Sequence, residues 1–263
     1  MAGDGVFTYR DGIAAAQIAA FSLPLLFAFY FRWRRQIGWF CIGVFTLLRI
    51  IGAGCKLATI NHDTQGLWAA IFVCESLGMI LIIFLLLELL ERINKIIHLA
   101  GKWIFWAPSI ITWIDIGISI GGWVSVMHVE HALLPTAWSQ ASLGLLVVIY
   151  VYLVGIFVLF WIHRHECFGE ERWALDGVTV CIPLFAIRLT YSLVFVISSN
   201  MKFNAIKGNP TAYLIMTMLP EVAIIGMCTY IIAAKISPLQ KETHRSPRKT
   251  DDEESQEGLT SRS

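Results

Sequence analysis

Apolar residues run along this chain in long blocks rather than in the alternations or narrow stripes of a water-soluble fold. Seven blocks are long enough to cross a hydrocarbon layer, covering residues 12–31, 38–58, 66–90, 103–125, 138–161, 174–199 and 212–234. A crossing needs about 20 predominantly apolar residues, and lipid offers no partner to an open backbone, so each block predicts one transmembrane helix. The first block follows Tyr9-Arg10-Asp11 instead of a basic run and has too long an apolar core for a cleaved leader, so it is read as a true first span. The polar connections are short, which predicts neighbouring helices packed as one all-α, seven-transmembrane bundle over residues 1–237. Beyond Ser237, basic Lys241–Lys249 and acidic Asp251–Glu257 carry no apolar residues at helical spacing, so residues 238–263 are expected to be a disordered cytosolic tail.

Composition agrees with the pattern: 57% of residues are hydrophobic and 15% charged, with a mean hydropathy of +0.67. That balance excludes nucleic-acid readers, secreted domains and ordinary cytosolic enzymes, and makes the lipid bilayer the first partner. Fourteen of the twenty Lys and Arg residues follow spans 1, 3 and 5 or lie in the tail, whereas the opposite segments hold only Arg10, Lys202 and Lys207. The positive-inside bias predicts an N-terminus outside or lumenal and a cytosolic C-terminus, in the endoplasmic reticulum or plasma membrane. Trp39, Trp68, Trp103, Trp138 and Trp161 fall near span ends, where an interfacial aromatic belt is expected.

Charges inside the spans are the main chemical signal, since each costs about 3 kcal/mol on insertion scales and calls for a partner or a role. Arg49 in span 2 and Glu75 in span 3 share mid-depth, as do Arg188 in span 6 and Glu221 in span 7, so two interhelical pairs are expected. Asp115 in span 4 has no basic residue in an adjacent span, and its face carries Pro108, Thr112, Ser119 and Gly122. An inward, neutral carboxyl able to donate a proton is one expectation; hydrogen bonding within the bundle is the other. The Arg188 face also carries Tyr191, Ser192 and Phe195, and the Glu221 face Thr217, Met218, Ile225 and Cys228, so a small pocket between them is a further expectation, alongside ordinary aromatic packing. Glu88, beside Glu91 and Arg92, is expected to reach interfacial water.

Five of the six cysteines lie within spans and Cys167 in a cytosolic loop, so no extracellular disulfide is expected. Neither His163-Arg164-His165-Glu166-Cys167 nor the His128, Glu130 and His131 group follows a defined zinc spacing, so neither a metal nor a cofactor is expected.

Four segments carry a family likeness: Phe7-Thr8-Tyr9-Arg10-Asp11-Gly12, Arg49–Ile60, Arg188–Asn200 and Asn209–Glu221. The chain resembles an uncharacterised fungal family of seven-helix integral membrane proteins over nearly its whole length apart from the tail. The resemblance implies a fold rather than an activity; by analogy with other fungal seven-span groups it points toward secondary metabolism. A retinal protein is excluded because span 7 has no lysine for a Schiff base.

Two functions remain open. One is a membrane enzyme acting on a lipophilic small molecule, such as a cyclase of terpenoid or prenyl chains, with Asp115 or Glu221 as the acid and Arg49, Glu75, Arg188 and Tyr191 as binding residues. The other is a seven-helix receptor or sensor of a small ligand. A transporter is disfavoured because the chain shows no internal repeat.

Overall fold

A computed structural model of the chain describes residues 7–62, 64–99, 101–126, 137–166, 169–198 and 208–234. Every regular element in it is helical: α1 (Tyr9–Arg34), α2 (Trp39–Ala58), α3 (Gln65–Ile97), α4 (Lys102–Val126), α5 (Ala137–Ile162), α6 (Glu170–Ser198) and α7 (Pro210–Ala234), with a short 3₁₀ turn at Arg164–Glu166. Six of these, all but α4, are long and apolar enough to cross a membrane; the apolar stretch of α4 among the described residues, Trp103–Ile118, is shorter. The tail expected at residues 238–263, His128, Glu130, His131 and Cys167 lie outside the described residues.

Local chemistry sets the helix ends. At the start of α1 the Thr8 N–H and hydroxyl both donate to Asp11 Oδ2, at 2.8 and 2.6 Å, so the Thr-x-x-Asp spacing satisfies backbone donors that would otherwise be orphaned. Asn209 caps α7 by accepting from the Thr211 N–H at 3.0 Å, with Pro210 in the first helical position. Between α1 and α2 the backbone of Gly38 takes φ +75°, and its N–H donates to Glu88 Oε1 at 3.0 Å. Glu88, partly exposed near the end of α3, thereby caps the α1–α2 connection with one carboxylate oxygen.

The helix α7 is not uniform, since Leu214–Met218 forms a π-helical turn. Pro220 lies just beyond it and has no N–H to give the Met216 carbonyl, so a widened turn relieves the ladder where a regular helix would clash with the proline ring.

Helix α3 packs against α2, α4, α5 and α6, and α7 packs against α6 and α1, which makes α3 and α7 the most enclosed of the long helices. Close approach replaces hydrophobic collapse as the means of association in lipid. At Gly177 of α6 a Cβ would stand 2.0 Å from Ile231 Cδ1 of α7, so the glycine leaves the space that the tip of the Ile231 side chain fills at that crossing. Trp33, Trp103, Trp106, Trp113 and Val151 point outward, a surface that suits hydrocarbon and its interfaces. Trp39 and Trp68 instead hold cations over their rings, Arg32 at 4.5 Å and Lys56 at 4.3 Å.

Candidate functional site

The intramembrane charges converge from four helices. Arg49 Nη1 on α2 lies 2.8 Å from Glu75 Oε2 on α3, and Arg188 Nε on α6 lies 2.8 Å from Glu221 Oε1 on α7. Both expected pairs are therefore in contact. Each carboxylate is also shared: Arg188 Nη2 reaches Glu75 Oε2 at 3.0 Å, and Arg49 Nη2 donates to Glu221 Oε1. The result is a closed ring of alternating charge, Arg49–Glu75–Arg188–Glu221, with no net charge. Arg49 is 2%, Arg188 1%, Glu221 0% and Glu75 13% exposed. Burial of four ions is tolerable only because each faces two opposite charges, and removing one would leave an uncompensated charge in the interior.

Neighbouring residues fix the ring's geometry. Tyr213, one residue before the π turn, donates its hydroxyl to Glu75 Oε1 at 2.6 Å. Ser192, one turn along α6 from Arg188, accepts from Arg188 Nη1 at 2.7 Å. Gly78, one turn along α3 from Glu75, leaves the room that the Arg49 guanidinium fills. Tyr191 is buried within electrostatic range of Arg188, Arg10 and Glu75. Among the described residues, Arg49 Nε, Glu221 Oε2 and Thr217 Oγ1 have no hydrogen-bond partner.

A small, mostly apolar cleft of about 40 Å³ opens beside the ring between α1, α2, α3 and α7, with Arg10, Gln17, Arg49, Lys56, Glu75 and Tyr213 as the polar residues among its walls. Arg10 Nη2 also donates to the Gly208 carbonyl at 2.7 Å, joining the start of α1 to the approach to α7. Next to the cleft, an open apolar groove of about 430 Å³ runs over Phe7, Gly12, Ile13, Ala16 and Leu214. Ile13 is a wall of both.

The pocket expected between the faces of Arg188 and Glu221 is instead packed interior, with Thr217, Ile225 and Cys228 buried and Cys228 Sγ 3.9 Å from Cys181 Sγ. Each guanidinium there is engaged by two carboxylates, and the space lies on the other side of Arg49, toward α1. Asp115 is 1% exposed and belongs to α4, which packs on α3 and α5; it faces Ser142 of α5 and lines neither the cleft nor the groove. The structure thus unites Arg49, Glu75, Arg188, Glu221 and Tyr191 and leaves Asp115 apart.

Sequence reasoning missed Gln17, Tyr213 and the part played by Arg10. The signal for the first and last was present, because Arg10, Ala14 and Gln17 repeat at helical spacing along one face of α1. Tyr213 was hidden by the π turn, which alters the angular offset between it and Glu221.

Among the described residues no group of three His, Cys, Asp or Glu side chains is placed to hold a metal ion. A family model described as a domain of unknown function, DUF7702, matches residues 7–234, from the cap of α1 to the end of α7. No curated protein and no solved structure matches the chain.

Proposed function

From the premise that the chain belongs to the DUF7702 family, a domain of unknown function, we propose that it is a seven-helix membrane receptor or sensor of a small lipophilic ligand. In this reading α4 crosses as the fourth span, the N-terminus faces outside or the lumen, and the cytosolic C-terminal tail carries the output. The observation that supports it is the juxtaposition of cleft and ring: a ligand entering between α1 and α7 meets Arg49 and Glu75 directly, and through them the charges that tie α2, α3, α6 and α7 together. Binding at that place acts on contacts shared by four helices, which is how a small molecule biases a bundle between two packings. The wide turn in α7 lies between Tyr213 and Glu221, inside the same set of contacts.

The test is a thermal-shift screen of lipophilic small molecules on the purified protein in lipid nanodiscs, with Gln17→Leu as the comparison. A ligand present at a hundred times its Kd stabilises by about 2.7 kcal/mol. The reading predicts compounds that stabilise wild type and lose that effect in the variant; a library that shifts both proteins equally would remove it.

A second reading, the membrane-bound cyclase, draws on Asp115, a carboxyl shielded from water between α4 and α5. An acid in such a place suits protonation of an alkene or epoxide. Conversion of a prenylated intermediate by wild type, lost in Asp115→Asn at equal membrane abundance, would favour this reading over the receptor.

A further inference from the structure

Independently of what the cleft binds, we propose that the C-terminal end of α1 is a lipid-headgroup site, formed by Arg32, Arg34 and Arg35 and fitted to an anionic phospholipid whose head ends in a phosphomonoester. The partition of Lys and Arg predicts this end in the cytosolic leaflet. Four observations lead to the site.

The first is charge without a counter-charge. Arg32, Arg34 and Arg35 are all exposed, and none of them pairs with a carboxylate among the described residues. The acids of α3 on this side are engaged elsewhere: Glu88 accepts from the Gly38 N–H, and Glu91 pairs with Lys95 at 3.0 Å. Three cations within four residues attract anionic lipid, and each one near the membrane surface adds to the attraction.

Two of the three are held in place. Arg32 lies over the Trp39 ring, and Arg34 lies 5.6 Å from the centre of the Tyr30 ring with its Nε donating to the Tyr30 hydroxyl at 3.1 Å. A guanidinium over a ring keeps in-plane N–H groups for another acceptor, and it loses less side-chain freedom when that acceptor binds.

Arg35 carries a backbone cost. It ends α1 at φ +55° and ψ +35°, a left-handed position that glycine normally takes. Its N–H donates to the Arg32 carbonyl at 3.3 Å, and that of Gln36 to the Phe31 carbonyl at 2.9 Å, bonds that a glycine at 35 would keep equally well. Strain retained where glycine would relieve it assigns the task to the side chain.

The fourth observation is depth. Trp33, 86% exposed, stands between Arg32 and Arg34, and Phe29 and Leu26 are exposed on the preceding turns of the same face. A tryptophan there marks the interface, so the arginines lie level with the phosphates and the acyl chains of a bound lipid run along Phe29 and Leu26. Charge then chooses the head: a phosphomonoester carries about −1.5 to −2 and three acceptor oxygens, enough for forked contacts from more than one guanidinium, which a singly charged phosphodiester lacks.

The experiment uses the full chain in phosphatidylcholine nanodiscs containing equal small amounts of phosphatidic acid and phosphatidylglycerol, with retained lipid read by native mass spectrometry. Wild type is expected to keep phosphatidic acid about tenfold over phosphatidylglycerol. Arg34→Gln and Arg35→Gly should each bring the two lipids close to equal. Arg35→Gly should do so with a thermal midpoint equal to or above that of wild type, because glycine suits the left-handed backbone. Equal retention of the two lipids by wild type would overturn the phosphomonoester. A preference unchanged in both variants would overturn the arginines as its site. Displacement of phosphatidic acid by soluble glycerol phosphate would make free phosphate compounds the ligand and overturn the lipid. A preference that emerges only after removal of residues 238–263 would make the acidic tail the occupant and overturn the proposal.

Discussion

Gly78 faces Arg49 so closely that a Cβ on residue 78 would stand 2.8 Å from Nη2 and 3.1 Å from Cζ of the guanidinium. An arginine tip usually yields to such a contact, but this one is fixed between Glu75 and Glu221. Gly78→Ala should therefore lower stability by about 1–3 kcal/mol, the range for overpacking. Gly144→Ala, where an added Cβ meets nothing within 4 Å, is the control for altered helix propensity. Thermal denaturation in detergent reads both, and equal midpoints would show that residue 78 does not set the position of Arg49.

The closed ring makes a stronger statement than two separate pairs. Replacing any one of Arg49, Glu75, Arg188 or Glu221 by Met should cost about 3–5 kcal/mol by stranding a charge, and a double replacement that removes one Arg and one Glu should recover part of the loss. Recovery is expected for the cross pairs Arg49 with Glu221 and Arg188 with Glu75 as well as for the two direct pairs. Additive losses in the cross pairs, with coupling confined to Arg49–Glu75 and Arg188–Glu221, would break the ring into two.

Much of this arrangement can be read from the chain. The helices follow from block length, and the ring members from the cost of charge in lipid, because an Arg and a Glu at matched depth on consecutive spans have few alternatives. Sharing of each carboxylate was not legible, since it depends on how α2 and α7 approach each other across the bundle, and no local pattern encodes that. Glu88 illustrates the limit from the other side: its position near a span end suggested water, and the residue is partly exposed, but its bond to the open N–H of Gly38 depends on the path of the α1–α2 connection. Asp115 was legible as buried but not as remote, because depth along a helix says nothing about which neighbours surround it.

Whether α4 crosses decides the relation of the two ends of the chain. Seven crossings put them on opposite sides of the membrane and six put them on the same side. The partition of Lys and Arg predicts seven, with the C-terminal end cytosolic. A reporter fused after Ser263 and an N-glycosylation acceptor fused before Met1 should report the cytosol and the lumen respectively in intact microsomes; two reports from one side would demote α4 to a helix that does not span.

The Tyr213 hydroxyl is the one neutral donor that Glu75 accepts from in the ring's contacts among the described residues. A hydrogen bond to a buried charged group contributes about 1.5–3 kcal/mol. Tyr213→Phe keeps the ring's shape and removes only that donor, so the denaturation midpoint should fall by a corresponding amount. No change on removing the hydroxyl would mean that Glu75 is held by its arginines alone.

The π turn at Leu214–Met218 is what brings Tyr213 and Glu221, on one helix, to the same ring. A π turn is an α-helix with one residue added, so deleting one residue restores the regular ladder and rotates everything before it by about 100° relative to everything after it. Ile215 is the residue to delete, because its side chain is 55% exposed and its loss removes little packing. With the deletion, Glu221 stays against Arg49 and Arg188 while Tyr213 swings away from Glu75. The variant should lose more stability than Tyr213→Phe, because the regular ladder also brings back the clash with the Pro220 ring, but adding Tyr213→Phe to it should cost nothing further, since the bond is already gone. If the two losses instead add in the combined variant, Tyr213 still reaches Glu75 without the wide turn, and the turn answers only to Pro220.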